Sequence, residues 1–133
     1  MIKEKQHILL IEDNPGDILL TTEILEENKF PFHLEVIRDG HEAIHFFESI
    51  NKKDFWPDFV LLDINLPKKS GHDVLQYIKK SEKLRSVPVI MLTSSSSERD
   101  ILASYKYYAD GYLVKPVDYT ELMIAFDKII AQR

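Results

Sequence analysis

Four short hydrophobic runs, each closing on polar residues, constrain this chain more than any other feature. His7–Ile11 runs into Glu12-Asp13, Phe59–Leu62 into Asp63, Val87–Leu92 into Thr93, and Gly111–Val114 into Lys115-Pro116. The stretch Ile8-Leu9-Leu10-Ile11 has no polar interruption, the pattern of a strand covered on both faces and hence of a parallel sheet. Parallel strands end along a common edge. The four endings are therefore expected to meet, gathering three carboxylates, a hydroxyl and an ammonium. Such a group suits a divalent cation and a transferable phosphoryl group.

Helix-like periods separate the runs. Asn14-Pro15-Gly16-Asp17 supplies a turn with Asn14 as cap and Pro15 as first helical residue. Leu20, Ile24 and Leu25 are read as the buried stripe of a first helix ending near Asn28. His33–Arg38 alternates more and reads as an edge strand, and Ala43, Phe46, Phe47 and Ile50 mark a second helix. The third strand is placed at Asp58–Asp63, followed by the loop Ile64–Ser70 and a helix from Gly71 carrying Val74, Leu75 and Ile78. Val87–Leu92 is the fourth strand, Ile101, Leu102, Tyr105 and Tyr108 pattern a fourth helix, and Tyr112–Val114 lie on the fifth strand. Asp118 with Glu121 resembles a capping box, and Leu122, Met123, Phe126, Ile129 and Ile130 form a strong amphipathic stripe. Regular alternation of strand and helix with right-handed crossovers predicts a parallel sheet with helices on both faces. Ligands in such sheets bind beyond the carboxyl ends of the strands.

The whole-chain numbers exclude several classes. At 133 residues the chain reads as one domain, 1–133, with no repeat or linker. It has no cysteine, which excludes disulfides and thiolate metal sites, and a cytoplasmic location is expected. A net charge of −5 gives no general attraction to nucleic acid or an anionic membrane. No apolar stretch approaches the roughly 20 residues of a membrane helix, and the N-terminus lacks signal-peptide anatomy. The lysine pairs Lys52-Lys53, Lys68-Lys69 and Lys79-Lys80 read as solvated charges.

At the expected edge, Glu12, Asp13 and Asp63 would repel one another unless a proton or a cation neutralised them. Mg²⁺ takes oxygen ligands of this kind, one or two of them carboxylates. Asp13 and Asp63 can ligate directly, Glu12 through water, and Asn65 through its backbone carbonyl. Asp63 is the candidate nucleophile, since a carboxylate accepts a phosphoryl group as a mixed anhydride. Lys115 would pair with Asp63 and then with the phosphoryl group, while Thr93 would bond a phosphoryl oxygen. Ser94 is small enough to leave the approach open. A cis Lys115-Pro116 bond would aim the ammonium. At a strand end the ammonium is expected to stay partly hydrated, so that Lys115→Ala folds with little loss.

These residues resemble a known family. Glu12-Asp13, Asp63 followed by Leu66-Pro67 and Gly71, Thr93-Ser94 and Lys115-Pro116 match the signature of CheY-like response regulator receiver domains over nearly the whole chain. Asp13-Asn14-Pro15-Gly16-Asp17, the segment Asn51–Pro57 and Lys115-Pro116-Val117-Asp118 look like the small single-domain regulators paired with bacterial and cyanobacterial phytochromes. The resemblance implies a flavodoxin-like (βα)5 three-layer α/β sandwich with strand order 2-1-3-4-5. It implies phosphorylation of Asp63 from the phosphohistidine of a histidine kinase, with Mg²⁺ at Glu12, Asp13, Asp63 and the Asn65 carbonyl. Thr93 and Tyr112 take the family's switch positions. The chain would be a phosphoacceptor signalling protein and not an enzyme. Ending at Arg133, soon after its fifth helix, it would carry no output domain.

Two other functions compete. A phosphohydrolase of the haloacid-dehalogenase type would want an acid two residues after the nucleophile, where this chain has Asn65. A flavin module would want a phosphate-cradling loop after the first strand, where Glu12-Asp13 would repel the phosphate. Without an output domain the signal would leave through a surface. The face of the fourth helix, fifth strand and fifth helix, with Tyr105, Tyr107, Tyr108 and Tyr112, is the candidate for a twofold homodimer or for kinase docking. Tyr105 and Tyr108 are expected to help close the core, with Tyr112 as the moving aromatic.

Overall fold

In a computed structural model, which describes residues 5–27, 31–50 and 56–132, strands and helices alternate five times. They are β1 (Gln6–Ile11), α1 (Pro15–Glu26), β2 (Phe32–Ile37), α2 (Gly40–Ser49), β3 (Phe59–Leu62), α3 (Gly71–Lys80), β4 (Val89–Thr93), α4 (Glu98–Lys106), β5 (Gly111–Val114) and α5 (Tyr119–Ala131). The five strands form one parallel sheet in the order β2-β1-β3-β4-β5. The expected end of the first helix near Asn28, the expected segment 51–55 and Arg133 lie outside the described residues.

The uninterrupted runs sit where the sheet is covered twice. Leu9, Ile11, Val60, Leu62, Val89 and Met91 point to a core shared with α2 and α3. Their sequence neighbours Ile8, Leu10, Phe59, Leu61, Ile90 and Leu92 point to a second core under α1 and α5. Phe59 stacks on Phe126 of α5 with ring centroids 4.3 Å apart. β2 pairs with β1 alone and is only half buried, as its alternating sequence predicts.

Polar caps fix where each helix begins. Asn14, Asp39, Ser70, Ser97 and Asp118 each accept the backbone N–H three residues on, removing one unpaired donor from each helix start. The reciprocal capping box forms at Ser70 and Asp73. All five starts follow strand ends, so they lie on the edge where the polar endings gather.

Several expectations shift. The second strand starts at Phe32 and ends at Ile37, one residue earlier than the sequence suggested. The fourth begins at Val89, the first residue in register with β3, and includes Thr93. Leu20 is 54% exposed, and Thr21 takes its place in the buried stripe of α1 with Leu25. Tyr108 lies beyond α4 at φ 70°, a left-handed turn that ends the helix. Tyr105 and Tyr108 do not close the core; they are 49% and 75% exposed. Tyr107 packs against the core instead.

Candidate functional site

Register brings the strand endings together. Ile11 stands opposite Leu62, and Leu62 opposite Met91. Glu12 therefore leaves β1 beside Asp63, whose N–H donates to the Ile11 carbonyl at 3.1 Å. On the other side the Lys115 N–H donates to the Thr93 carbonyl at 2.8 Å, tying the last ending to β4. Adjacent strands lie about 4.8 Å apart, so β5 stands about 10 Å from β3. An extended lysine covers most of that gap, and the Asp63 side chain with one hydrogen bond closes the rest.

The Lys115 ammonium donates to Asp63 Oδ2 at 3.0 Å, to Asp17 Oδ2 at 3.0 Å and to Glu12 Oε1. The Lys115–Pro116 bond is cis, as the sequence reading suggested. The Lys115 side chain is only 11% exposed, which corrects the expectation of a partly hydrated ammonium. The reason is that three carboxylates occupy the places water would take.

Glu12 and Asp63 are buried, Thr93 is fully enclosed, and Asp13 is exposed. Carboxylate oxygens of Glu12, Asp13 and Asp63 all lie within 4.8 Å of one another. Burial pushes the Glu12 carboxyl above the usual range, and the Asp63 charge adds to this against the hydrogen bond from Lys115. For Lys115, burial pulls the other way, but the bonds to Glu12, Asp17 and Asp63 outweigh it and hold the ammonium above its ordinary range. One ammonium leaves this carboxylate group short of positive charge. The donor set is all oxygen and anionic, and it fits a hard divalent cation.

The loops around the acids are held closely. The Asn65 N–H reaches Asp63 Oδ1 at 3.4 Å, and the Gly71 N–H donates to the Ile64 carbonyl at 2.7 Å. Ser94 is exposed and lines a groove with Asp17, Leu20, Lys115 and Pro116, so the approach from that side is open. Tyr112 is half buried against the core, with its hydroxyl donating to the Ser95 carbonyl at 2.9 Å. Burial raises the Tyr112 pKa. Ser95 also donates from Oγ to Asp100 Oδ2 at 2.5 Å, and its N–H reaches Thr93 Oγ1 at 3.4 Å. One loop residue thus connects Thr93, Tyr112 and α4.

Sequence reasoning missed two participants. Asp17 was read only as part of the turn opening α1, yet it is a direct partner of Lys115. The available signal was its place in the first turn of a helix that starts at the site edge. Ser95 was one of four consecutive serines, with nothing in the sequence to single it out.

The response regulator receiver domain model matches residues 8–127. The chain belongs to that family. It is 39% identical over 110 residues to response regulator Rcp1 of Synechocystis, covering 81% of this chain and 75% of Rcp1. It is 38% identical over 125 residues to the probable methanogenesis regulatory protein FilR2 of Methanothrix harundinacea, covering 92% and 79%. The Mn²⁺-bound crystal structure of Rcp1 superposes with TM-score 0.77 at 36% identity, covering 93% of this chain and 88% of that one. The phosphorylated cyanobacterial phytochrome response regulator RcpA gives TM-score 0.79 at 35% identity, covering 93% and 91%. The chain is thus a two-component signalling protein with the receiver fold. Receiver domains are paired with histidine kinases and hold a divalent metal in their acidic pocket. Among the described residues no helix is long and apolar enough to cross a membrane.

Proposed function

We propose that Asp63 accepts a phosphoryl group from the phosphohistidine of a histidine kinase, with Mg²⁺ held by Glu12, Asp13, Asp63 and the Asn65 carbonyl. The observation that carries this reading is the buried Asp63 carboxylate joined to Lys115 within a crowded group of acids. An Asp63 oxygen attacks phosphorus in line as the P–N bond breaks. The bonding electron pair returns to the imidazole, which leaves as a neutral base when its other nitrogen carries a proton. The product is an aspartyl phosphate. Bound Mg²⁺ would offset the charge on the phosphoryl oxygens. Lys115 follows the phosphoryl group, and the Thr93 hydroxyl donates to one of its oxygens.

Movement of Thr93 would pull on Ser95, and through Ser95 on Tyr112 and Asp100. The response would reach the face of α4, β5 and α5, where Leu102, Tyr105 and Ile124 are exposed. This face is our candidate for a twofold homodimer or for docking of a partner protein. The similarity to the phytochrome response regulator RcpA supports a phytochrome-like kinase as the donor. The proposed unit is a single cytoplasmic receiver domain, residues 1–133, that catalyses nothing beyond its own loading and unloading.

Incubation with Mg²⁺ and acetyl phosphate tests the assignment. One acid-labile aspartyl phosphate per chain is expected, and none in Asp63→Asn. Label persisting in that variant would move the site elsewhere. Steady release of phosphate from a phosphate monoester would favour a phosphohydrolase. That rival is weakened by Asn65, which cannot serve as a general acid.

A further inference from the structure

Asp17 has no part in the reading above, yet it holds Lys115 at the same distance as Asp63 does, 3.0 Å. An ammonium has three protons to donate. Glu12, Asp17 and Asp63 take all of them. Glu12 directly follows β1 and Asp17 lies in the first turn of α1, while Asp63 directly follows β3. Lys115 is thus divided between the acceptor and the neighbouring side of the site.

Asp17 is well placed to be a variable anchor. Its N–H is fixed by the Asn14 cap at 3.0 Å, so the start of α1 does not depend on its carboxylate. Its side chain is 34% exposed and lines the open groove beside Ser94 and Pro116. A phosphoryl donor entering there would meet an extra negative charge. It would also meet a lysine already committed to three partners.

We propose that Asp17 is a positioning residue for phosphoryl transfer, restraining Lys115 and slowing the loading of Asp63. This role rests on Asp63 being the acceptor. When the phosphoryl group arrives, Lys115 must turn one donor toward a phosphoryl oxygen, and the Asp17 carboxylate competes for that donor. Neutralising Asp17 removes the competitor. It also lowers the repulsion felt by the incoming anion, but only the first effect acts through Lys115.

The experiment is the initial rate of aspartyl phosphate formation from acetyl phosphate at saturating Mg²⁺. Asp17→Asn is expected to load about threefold faster or more, the size expected from one charge at this range in a partly hydrated site. Asp17→Glu restores the charge and is expected to stay near the parent rate. In a Lys115→Ala background, Asp17→Asn should give no gain, as a double-mutant cycle requires when one residue acts through the other. If Lys115→Ala does not load, the cycle is read on beryllium fluoride affinity, which Asp17→Asn should raise in the parent and leave unchanged in Lys115→Ala. The proposal is overturned by Asp17→Asn loading no faster than the parent. It is equally overturned by Asp17→Glu matching Asp17→Asn, or by an undiminished gain in the Lys115→Ala background. A parent chain that never loads overturns the acceptor reading and this role with it. A parent that loads while Asp17→Asn matches it overturns the role of Asp17 alone.

Discussion

Gly71 approaches Asp63 so closely that a β-carbon on Gly71 would sit 2.0 Å from the Asp63 carbonyl oxygen and 2.7 Å from Ile64 Cα. Both obstacles are backbone, so no side-chain rotation can relieve the contact. The first turn of α3 is thereby pressed against the strand end that carries the proposed acceptor. Gly71→Ala is expected to lower stability by about 1–3 kcal/mol, the usual cost of forcing extra volume into a packed region. Because the displaced backbone bears Asp63, loading from acetyl phosphate should slow as well. Urea midpoints and loading rates measure the two effects. A variant unchanged in both would show that α3 can retreat from Asp63 without consequence.

Removing Lys115 is expected to cost more than its place at a strand end suggests. The side chains of Glu12 and Asp63 are 2% and 9% exposed, and the substitution would leave them without this cation. Breaking a buried pair on one side costs about 3 kcal/mol. Without divalent cations, Lys115→Ala should therefore lose roughly that much in urea unfolding. Saturating Mg²⁺ should restore a large part, since a cation that binds only the folded chain stabilises it by mass action. Equal loss with and without Mg²⁺ would separate the lysine from the cation site.

The strand endings were legible in the sequence because an uninterrupted apolar run allows few alternatives, and a parallel sheet aligns such endings by topology. Glu12, Asp63, Thr93 and Lys115 needed only that logic to be placed on one edge. Lys79 shows where the logic stops. As one of a lysine pair it read as solvated, yet its side chain is 8% exposed. It donates to the Arg85 and Val87 carbonyls at 3.1 and 2.9 Å and to Asp110 at 2.9 Å. Arg85 and Val87 lie in the loop before β4 and Asp110 just before β5, and no local period reports them. The tyrosines misled for a related reason. Helical spacing placed Tyr105 and Tyr108 together, but the left-handed turn at Tyr108 ends the helix first. Such a conformation in a residue other than glycine leaves no mark in the pattern.

Asp100 gives the loop after β4 a measurable signature. The hydrogen bond from Ser95, with a smaller one from Ser97, holds its carboxyl below the ordinary range. A depressed carboxylate pKa adds stability that is present above the unfolded value of about 3.9 and is lost as pH falls through the folded value. Carboxyl-carbon NMR titration should find Asp100 ionising below its ordinary range, and rising toward it in Ser95→Ala. On the acid side, Asp100→Asn should flatten the fall in stability below about pH 4 relative to the parent. An Asp100 titration untouched by Ser95→Ala would remove this bond from the loop.

The proposed output face carries a testable consequence. Leu102 and Tyr105 on α4 and Ile124 on α5 are 61%, 49% and 52% exposed, which leaves apolar surface without a partner in the single chain. Tyr112 lies behind this face, and its bond to the Ser95 carbonyl connects it to the loop that starts at Thr93. If Thr93 moves toward a phosphoryl oxygen, that bond sets how far the ring and the start of α4 follow. Phosphorylation can strengthen assembly only by as much as the two states differ in their affinity for a second copy. Sedimentation velocity with beryllium fluoride as phosphoryl mimic should show a shift toward dimer. Leu102→Glu should abolish the shift by placing a charge in the interface. Tyr112→Phe should reduce it while leaving beryllium fluoride binding intact, because the ring remains and only the hydroxyl bond is lost. An assembly state indifferent to the mimic would exclude the phosphorylation-driven dimer and leave this face to a different protein partner.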